Sequence, residues 1–463
     1  MSSDQDLLLG DMFGTPEMQR LWTEEATLGR WMEVERALVE VQAEMGMIPR
    51  EAAQRIIASL HPDQQFIGRM RFHVQQSGHL MVAFLRAFRD TCGAAAEHFH
   101  VGPTTQDIMD TGLVLQMREA ARIIRRQTTE LQELLCVRAL AEKATLMMGR
   151  THEQHALPTT FGFVLASWAA EIHDHLDRMS QAEPRWQLGS VAGGVGCQNA
   201  FVELLGVSGA RALEQRVCEK LQLGRPTICI HGRIDRLAEP VMVLASLCAT
   251  LGRIGLQLRT MERPEVSEVE SVYGEQACSS STMPNKRNPE PMEVVEGLAK
   301  LVKSHASTML EIRMADHRDS TRTPVLFAAI PGSYLMTARA LQAVHAHLSS
   351  LTVRRDIMRA NVDHPRVLGQ AAAERLMIAL YRKTGQRHWA HTRLSECARV
   401  SRESGRHLRE VVLNEQDLAL HFTVEELNEL FDLSTYTGTA MDQIEVTVRQ
   451  IRIGSGEHNE EGP

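Results

Sequence analysis

Residues 113–135 read LVLQMREAARIIRRQTTELQELL, and this stretch decides the fold class. Leu113, Met117, Ala120, Ile124, Leu131 and Leu135 recur at steps of three, four and seven, the spacing that gathers apolar side chains on one face of an α-helix. Neither Pro nor Gly interrupts the run, so one long helix is predicted from Ile108 onward. Outward from it, the same periodicity predicts a helix over 22–46. There Leu28, Trp31, Met32, Val34, Leu38 and Val41 share a side, and Gly46 and Pro49 end the pattern. Shorter helices are expected at 50–60 and 78–97, and longer ones over 160–179, 235–261 and 291–314. No internal repeat, no strand–helix alternation and no strand-rich block is evident. The expected fold is all-α, with an N-terminal helical domain over 1–107, a central long-helix bundle over 108–355 and a small helical domain over 356–463. The last of these ends in a polar tail, GSGEHNEEGP, expected to be disordered. Apolar stripes of this length exceed what one small domain buries, which predicts packing against other subunits.

Composition narrows the function classes. Among 463 residues, 58 acidic against 50 basic ones give a formal charge of −8, which argues against a nucleic-acid binder with its basic face. Aromatics at 5%, with only 16 Pro, suit helices better than a sandwich or barrel. Eight scattered Cys without a CxxC pair read as reduced thiols rather than a disulfide framework. The opening MSSDQDLLLGDMFG places acids where a secretory leader would carry Lys or Arg. The most apolar long stretch, 241–258, carries Arg253 and reads as a buried helix rather than a membrane span. A cytoplasmic protein with no membrane or nucleic-acid partner is expected.

Polar, Gly-marked connections at 98–107, 149–159, 189–199 and 271–290 separate the long helices, and loops between rigid helices are where function concentrates. CSSSTMPNKRNP (278–289) sets three serines, a Lys, an Arg and two Asn beside two prolines. It is either a solvated loop or one that offers hydroxyls, amides and a cation to an anionic substrate, with a serine as base or nucleophile. GRTHEQHALPTTFG (149–162) follows the long helix, which is expected to end at Gly149. His152 and His155 lie three apart and no third ligand is obvious, so no metal site is expected; a His beside Arg150, Thr151 and Gln154 suits acid–base work. In HFHVGPTTQDIMDTG (98–112), Thr104, Thr105, Gln106 and Asp107 either cap the long helix or use its free N–H groups and dipole to hold an anion. GSVAGGVG (189–196) has no strand before it and no Lys after it, so close backbone approach explains its glycines better than a phosphate loop.

Taken together, the loops at 278–289, 149–162 and 98–112 resemble the signature regions of the fumarase/aspartase superfamily. Within it they are similar to the branch of the adenylosuccinate lyases and the 3-carboxy-cis,cis-muconate cycloisomerases. Ser280-x-x-Met283-x-x-Lys286-x-Asn288 reproduces the most specific spacing, and the segments His100 to Thr111 and Gly149 to Gly162 follow the other two. Weaker similarity in TPEMQRLW (15–22), HGRIDRLAE (231–239) and the last hundred residues extends it over nearly the whole chain.

The resemblance implies an all-helical homotetramer around a long central bundle, with each active site assembled from three subunits. It implies a cofactor-independent anti elimination from a small dicarboxylate, a succinyl compound, that releases fumarate. Ser280 would remove the Cβ proton and His152 would serve the leaving group as acid. Thr104, Thr105, Gln106, Lys286 and Asn288 would hold the carboxylates, while His100, Thr151 and Gln154 complete the pocket. A serine base fits this chemistry only if nearby cations and amides lower its pKa, since proton removal builds charge on a carboxylate.

The departures concern the substrate. Ser279 stands where a Gly is usual, so the base lies within Ser279–Ser281, with the spacing to Lys286 favouring Ser280. Arg233-Ile234-Asp235 replaces the branch's Gln-Arg-Asp, and an apolar Ile234 counts against a purine nucleotide. His152 stands where bacterial cycloisomerases often carry Trp, and DHRDSTRTPVLF (316–327) replaces their Trp-rich segment. The expectation is a carbon–nitrogen lyase acting on an N-substituted aspartate or a nitrosuccinate-like compound. The alternatives are a lactonising cycloisomerase, an adenylosuccinate lyase, and a catalytically silent structural tetramer.

Overall fold

The computed structural model describes residues 10–228, 233–272, 280–314 and 320–454. The fold is all-α, with nineteen α-helices among the described residues and two short antiparallel strand pairs. The long helices are Thr105–Ala141, Phe161–Trp186, Asp235–Glu262, Glu290–Glu311 and Arg322–Ser350. By contact density the chain divides into two compact units, 1–129 with 174–253 and 294–343, and 130–173 with 254–293 and 344–463.

In the first unit the Glu24–Glu44 helix starts at Thr23, whose hydroxyl accepts from Ala26 N at 3.1 Å. It buries Leu28, Trp31, Met32, Val34, Leu38 and Val41, the residues that the periodicity placed on one face. The Asp235–Glu262 helix has the length and apolarity of a membrane span, yet Leu237, Val241, Leu247 and Leu251 are buried among the chain's own residues. It is a core helix, as its interruption at Arg253 suggested.

The stripe from Leu113 to Leu135 corrects one inference. All six of its marker residues are buried within the single chain, at 0–2% exposure, so the stripe itself asks for no second subunit. Apolar side chains left on the surface are found elsewhere, at Leu301, Leu310, Leu256 and Val137.

Two long helices escaped the periodicity, each for a local reason. Asn199–Lys220 contains Gly206 at φ 70° and ψ 171°, a break in the helix that scrambles its apolar stripe. Arg322–Ser350 contains the pair Pro331-Gly332, which reads as a terminator although the helix continues through it.

In the second unit the chain leaves helix at Ala141, not at Gly149 as expected. Strands β1 (Leu146–Thr151) and β2 (Gln154–Thr160) then form an antiparallel hairpin where a plain loop was expected. Its inner face packs Leu146 and Met148 against Val362, Val367, Ala371, Ala372 and Leu433. A separate cluster built on Leu376, Leu380, Leu394, Leu408 and Leu427 closes the C-terminal helices.

Candidate active site

The site residues expected from the sequence fall into three local groups, one on the first unit and two on the second. On the first unit, Thr105 opens the long Thr105–Ala141 helix. Asp107, fully buried, turns its carboxylate back over that helix start. It accepts from Thr104 N at 2.9 Å, Ala192 N at 2.8 Å and Gly193 N at 2.9 Å, tying the Gly-rich 189–196 segment to the helix. Capping is therefore the work of Asp107. The hydroxyls of Thr104 and Thr105, half-buried, have no hydrogen-bond partner among the described residues. Gln106 Oε1 accepts from Arg322 Nη2 at 2.5 Å, and the same nitrogen bonds both oxygens of Asp110 at 2.9 and 2.6 Å.

His100, two residues before Gly102, sits at φ 55° with Nδ1 2.5 Å from Oε1 of the fully buried Glu35. Burial pulls the His100 pKa down, but the attraction and hydrogen bond of Glu35, helped by Asp107, outweigh it and raise the net value above 6.5. Gly102 is required by contact as well as by φ 97°, because a Cβ there would meet the Phe201 ring at 2.6 Å.

On the second unit, His152 and Glu153 form the two-residue tip of the β1–β2 hairpin, at φ 52° and 61°. Both central residues of a two-residue hairpin of this hand need positive φ, a conformation that neither favours. Thr151 and Gln154 face each other across the last pair, and all four tip residues are exposed. The register slips between Met148 and Arg150, and at Gly149 a Cβ would press on Leu157 O at 2.6 Å. Arg150 then grips the fully buried Glu268 in a two-point ion pair at 3.0 and 2.7 Å, and Asn361 Nδ2 adds a bond to Glu268 Oε1 at 3.1 Å. His155, opposite Arg150, has its pKa lowered by burial and by that guanidinium.

The third group is the loop before the Glu290–Glu311 helix. Ser280 is half-buried, and its Oγ accepts from Met283 N at 3.0 Å. Lys286 N returns to Met283 O at 3.1 Å, forming a tight turn, and Arg287 approaches Glu270 at 3.6 Å. Lys286 is exposed and Asn288 half-buried. Ser279, and parts of the segments 231–239 and 316–327 quoted from the sequence, lie outside the described residues.

Sequence reasoning missed the partners that hold these groups: Glu35, Arg322 and Glu268. It also treated Ile234 as a ligand-facing position, whereas Ile234 is buried at 4% exposure and precedes the first turn of the Asp235–Glu262 helix. Its neighbours Arg233 and Arg236, with Arg185, Arg225 and Arg313, line an open cleft of about 660 Å³. Arg236 is buried there, and its desolvation lowers its pKa to about 10.

Residues 13–303 match the family model described as Lyase, and residues 369–447 match the one described as Adenylosuccinate lyase C-terminus. The chain is 34% identical over 448 residues to an adenylosuccinate lyase of Methanocaldococcus jannaschii, covering 95% of each protein. It is 33% identical over 444 residues to an N-acetyl-S-(2-succino)cysteine lyase of Dickeya dadantii, covering 96% of each. The crystal structure of 3-carboxy-cis,cis-muconate lactonizing enzyme from Pseudomonas putida superposes with a TM-score of 0.87 at 28% identity, over 97% of this chain and 99% of that one.

Proposed function

The chain belongs to the lyase family and, within the fumarase/aspartase superfamily, to the branch of the adenylosuccinate lyases and muconate cycloisomerases, and from that premise we propose that it cleaves an N-substituted aspartate, or a nitrosuccinate-like compound, into fumarate and an amine or nitrite. In this reading Ser280 takes the Cβ proton, the freed electron pair forms the C=C bond, and the leaving group departs from Cα with the C–N electrons. His152 protonates that leaving group. Thr104, Thr105, Gln106, Lys286 and Asn288 hold the two carboxylates, with His100, Thr151 and Gln154 around them. The enzyme needs no cofactor, works in the cytoplasm, and assembles as a homotetramer whose sites draw on three subunits.

The observation that carries the reading is the state of the helix start. The Thr104 and Thr105 hydroxyls lack partners among the described residues, while Asp107 accepts from Thr104 N, Ala192 N and Gly193 N and Arg322 donates to Gln106 Oε1. Donors fixed in place before the ligand arrives are what a developing carboxylate charge requires. The chain reads Arg233-Ile234-Asp235 where the branch commonly carries Gln-Arg-Asp, and this lack of an arginine at position 234, not the burial of Ile234, supports a leaving group other than a purine nucleotide.

A second reading is favoured by the Dickeya dadantii relative, namely elimination of a thiol from an S-(2-succinyl) thioether. The test is fumarate absorbance across adenylosuccinate, small N-substituted aspartates, nitrosuccinate and succinyl thioethers. Fumarate from an aspartate adduct or nitrosuccinate, with little from adenylosuccinate, is the expected result. Fumarate from the thioethers alone moves the assignment to carbon–sulfur cleavage, and efficient adenylosuccinate cleavage overturns the argument from Ile234. A lactonising enzyme or a silent tetramer would release none.

A further inference from the structure

We propose that Arg322 is a positioning residue for substrate binding, setting the amide of Gln106 so that its NH₂ group faces a substrate carboxylate. The inference rests on the reading above, in which Gln106 holds a carboxylate, and extends it to a residue outside all three signature segments. A glutamine amide has an acceptor end and a donor end, and only the donor end suits a carboxylate. Arginine has N–H donors and no acceptor, so a guanidinium against one end of the amide forces that end to be Oε1. Arg322 Nη2 stands 2.5 Å from Gln106 Oε1, leaving Nε2 on the opposite side with no partner among the described residues.

The guanidinium is itself held. Arg322 is 6% exposed and Asp110 5%, and the 2.9 and 2.6 Å bonds from Arg322 Nη2 to the Asp110 oxygens anchor it. Arg236, buried at 4% exposure with its Nη1 on Leu188 O at 3.2 Å, adds positive charge close to the same Asp110. Asp110 thus faces two guanidiniums. A flipped Gln106 amide would point Oε1 at the ligand and repel it; the Arg322 contact prevents that flip.

The experiment is calorimetric titration with succinate, a dicarboxylate that cannot react, of the wild-type chain, Arg322→Met, Gln106→Met and the double variant. A charge-assisted hydrogen bond to a carboxylate is at stake, so Arg322→Met is expected to weaken succinate by roughly tenfold or more. Gln106→Met should do the same, and the double variant should be no worse than Gln106→Met alone. A purely structural Arg322 would instead weaken binding by the same factor in both backgrounds, and that additivity overturns the inference, as does unchanged affinity in Arg322→Met. Because Arg322→Met leaves a buried carboxylate unpaired, Arg322→Met with Asp110→Asn gives the same cycle in a chain without that charge. Succinate binding that is absent even from the wild type would defeat the reading of the site and the inference with it. Binding by the wild type with no cycle defeats the inference alone.

Discussion

The start of the Thr105–Ala141 helix and the tip of the β1–β2 hairpin both carry signature residues, and they are built in opposite ways. At the helix start a buried carboxylate gathers three backbone N–H groups, and a buried arginine fixes a glutamine amide. At the hairpin tip four exposed residues turn on two strained positions, and the nearest firm anchor is the Arg150–Glu268 pair at the strand below. Rigid donors suit the binding of a fixed dicarboxylate, where preorganisation lowers the cost of association. A solvent-facing imidazole suits a leaving group that must be protonated and released. Ser280 belongs with the second kind, on an irregular loop where its Oγ accepts from Met283 N.

Damage to the helix start is expected to fall first on stability and ligand affinity. The largest expected effect is from Asp107→Ala, which strands three backbone N–H groups, two of them buried. At 1–3 kcal/mol for each unmet group, reduced by local relaxation, a loss of about 3–5 kcal/mol is expected in urea unfolding. A loss below about 1 kcal/mol would mean that water or rearrangement replaces the carboxylate, and the helix start would not be the rigid element described.

A smaller, pH-graded effect is expected at the same place. The folded pKa of His100 is raised above its ordinary 6.5 by Glu35, against the opposing effect of burial. The stabilisation from the pair is therefore complete below the ordinary value and is lost as pH rises through the folded one. Thermal melts of wild type and His100→Gln should differ more at pH 6 than at pH 9. A gap that widens toward alkaline pH would reverse the assignment.

The smallest effect is expected at the hairpin. Glu153 holds φ 61° without being glycine, so Glu153→Gly should relieve left-handed strain. Against the extra freedom that glycine gives the unfolded chain, a net gain of about 0.5–1 kcal/mol remains. Destabilisation by this change would show that the Glu153 side chain makes up for its backbone, and the tip would be less strained than the contrast requires.

The legibility of these two regions in the sequence follows the same division. The helix was readable because its period extends over the whole of 113–135, and the signature residues because they cluster within a dozen positions. The hairpin was not, since Gly149 and Pro158 read as loop residues and the bulge at Gly149 breaks the two-residue alternation that marks a strand. The residues that hold the groups in place were also hidden. Glu35 reaches His100 across 65 positions, Glu268 reaches Arg150 across 118, and Arg322 reaches Gln106 across 216. No local pattern records such a pairing. The burial of Ile234 likewise depends on which face of a helix start turns inward, which a motif comparison does not specify.

The most direct test of the division between binding and chemistry is Ser280→Ala, assayed for both succinate affinity and fumarate release from the substrate that the wild type cleaves best. The predicted result is unchanged succinate affinity with turnover lower by about 10² to 10⁴, the usual loss for a general base. Fumarate release at the wild-type rate by Ser280→Ala would contradict the account, because the proton would then be leaving to a different group.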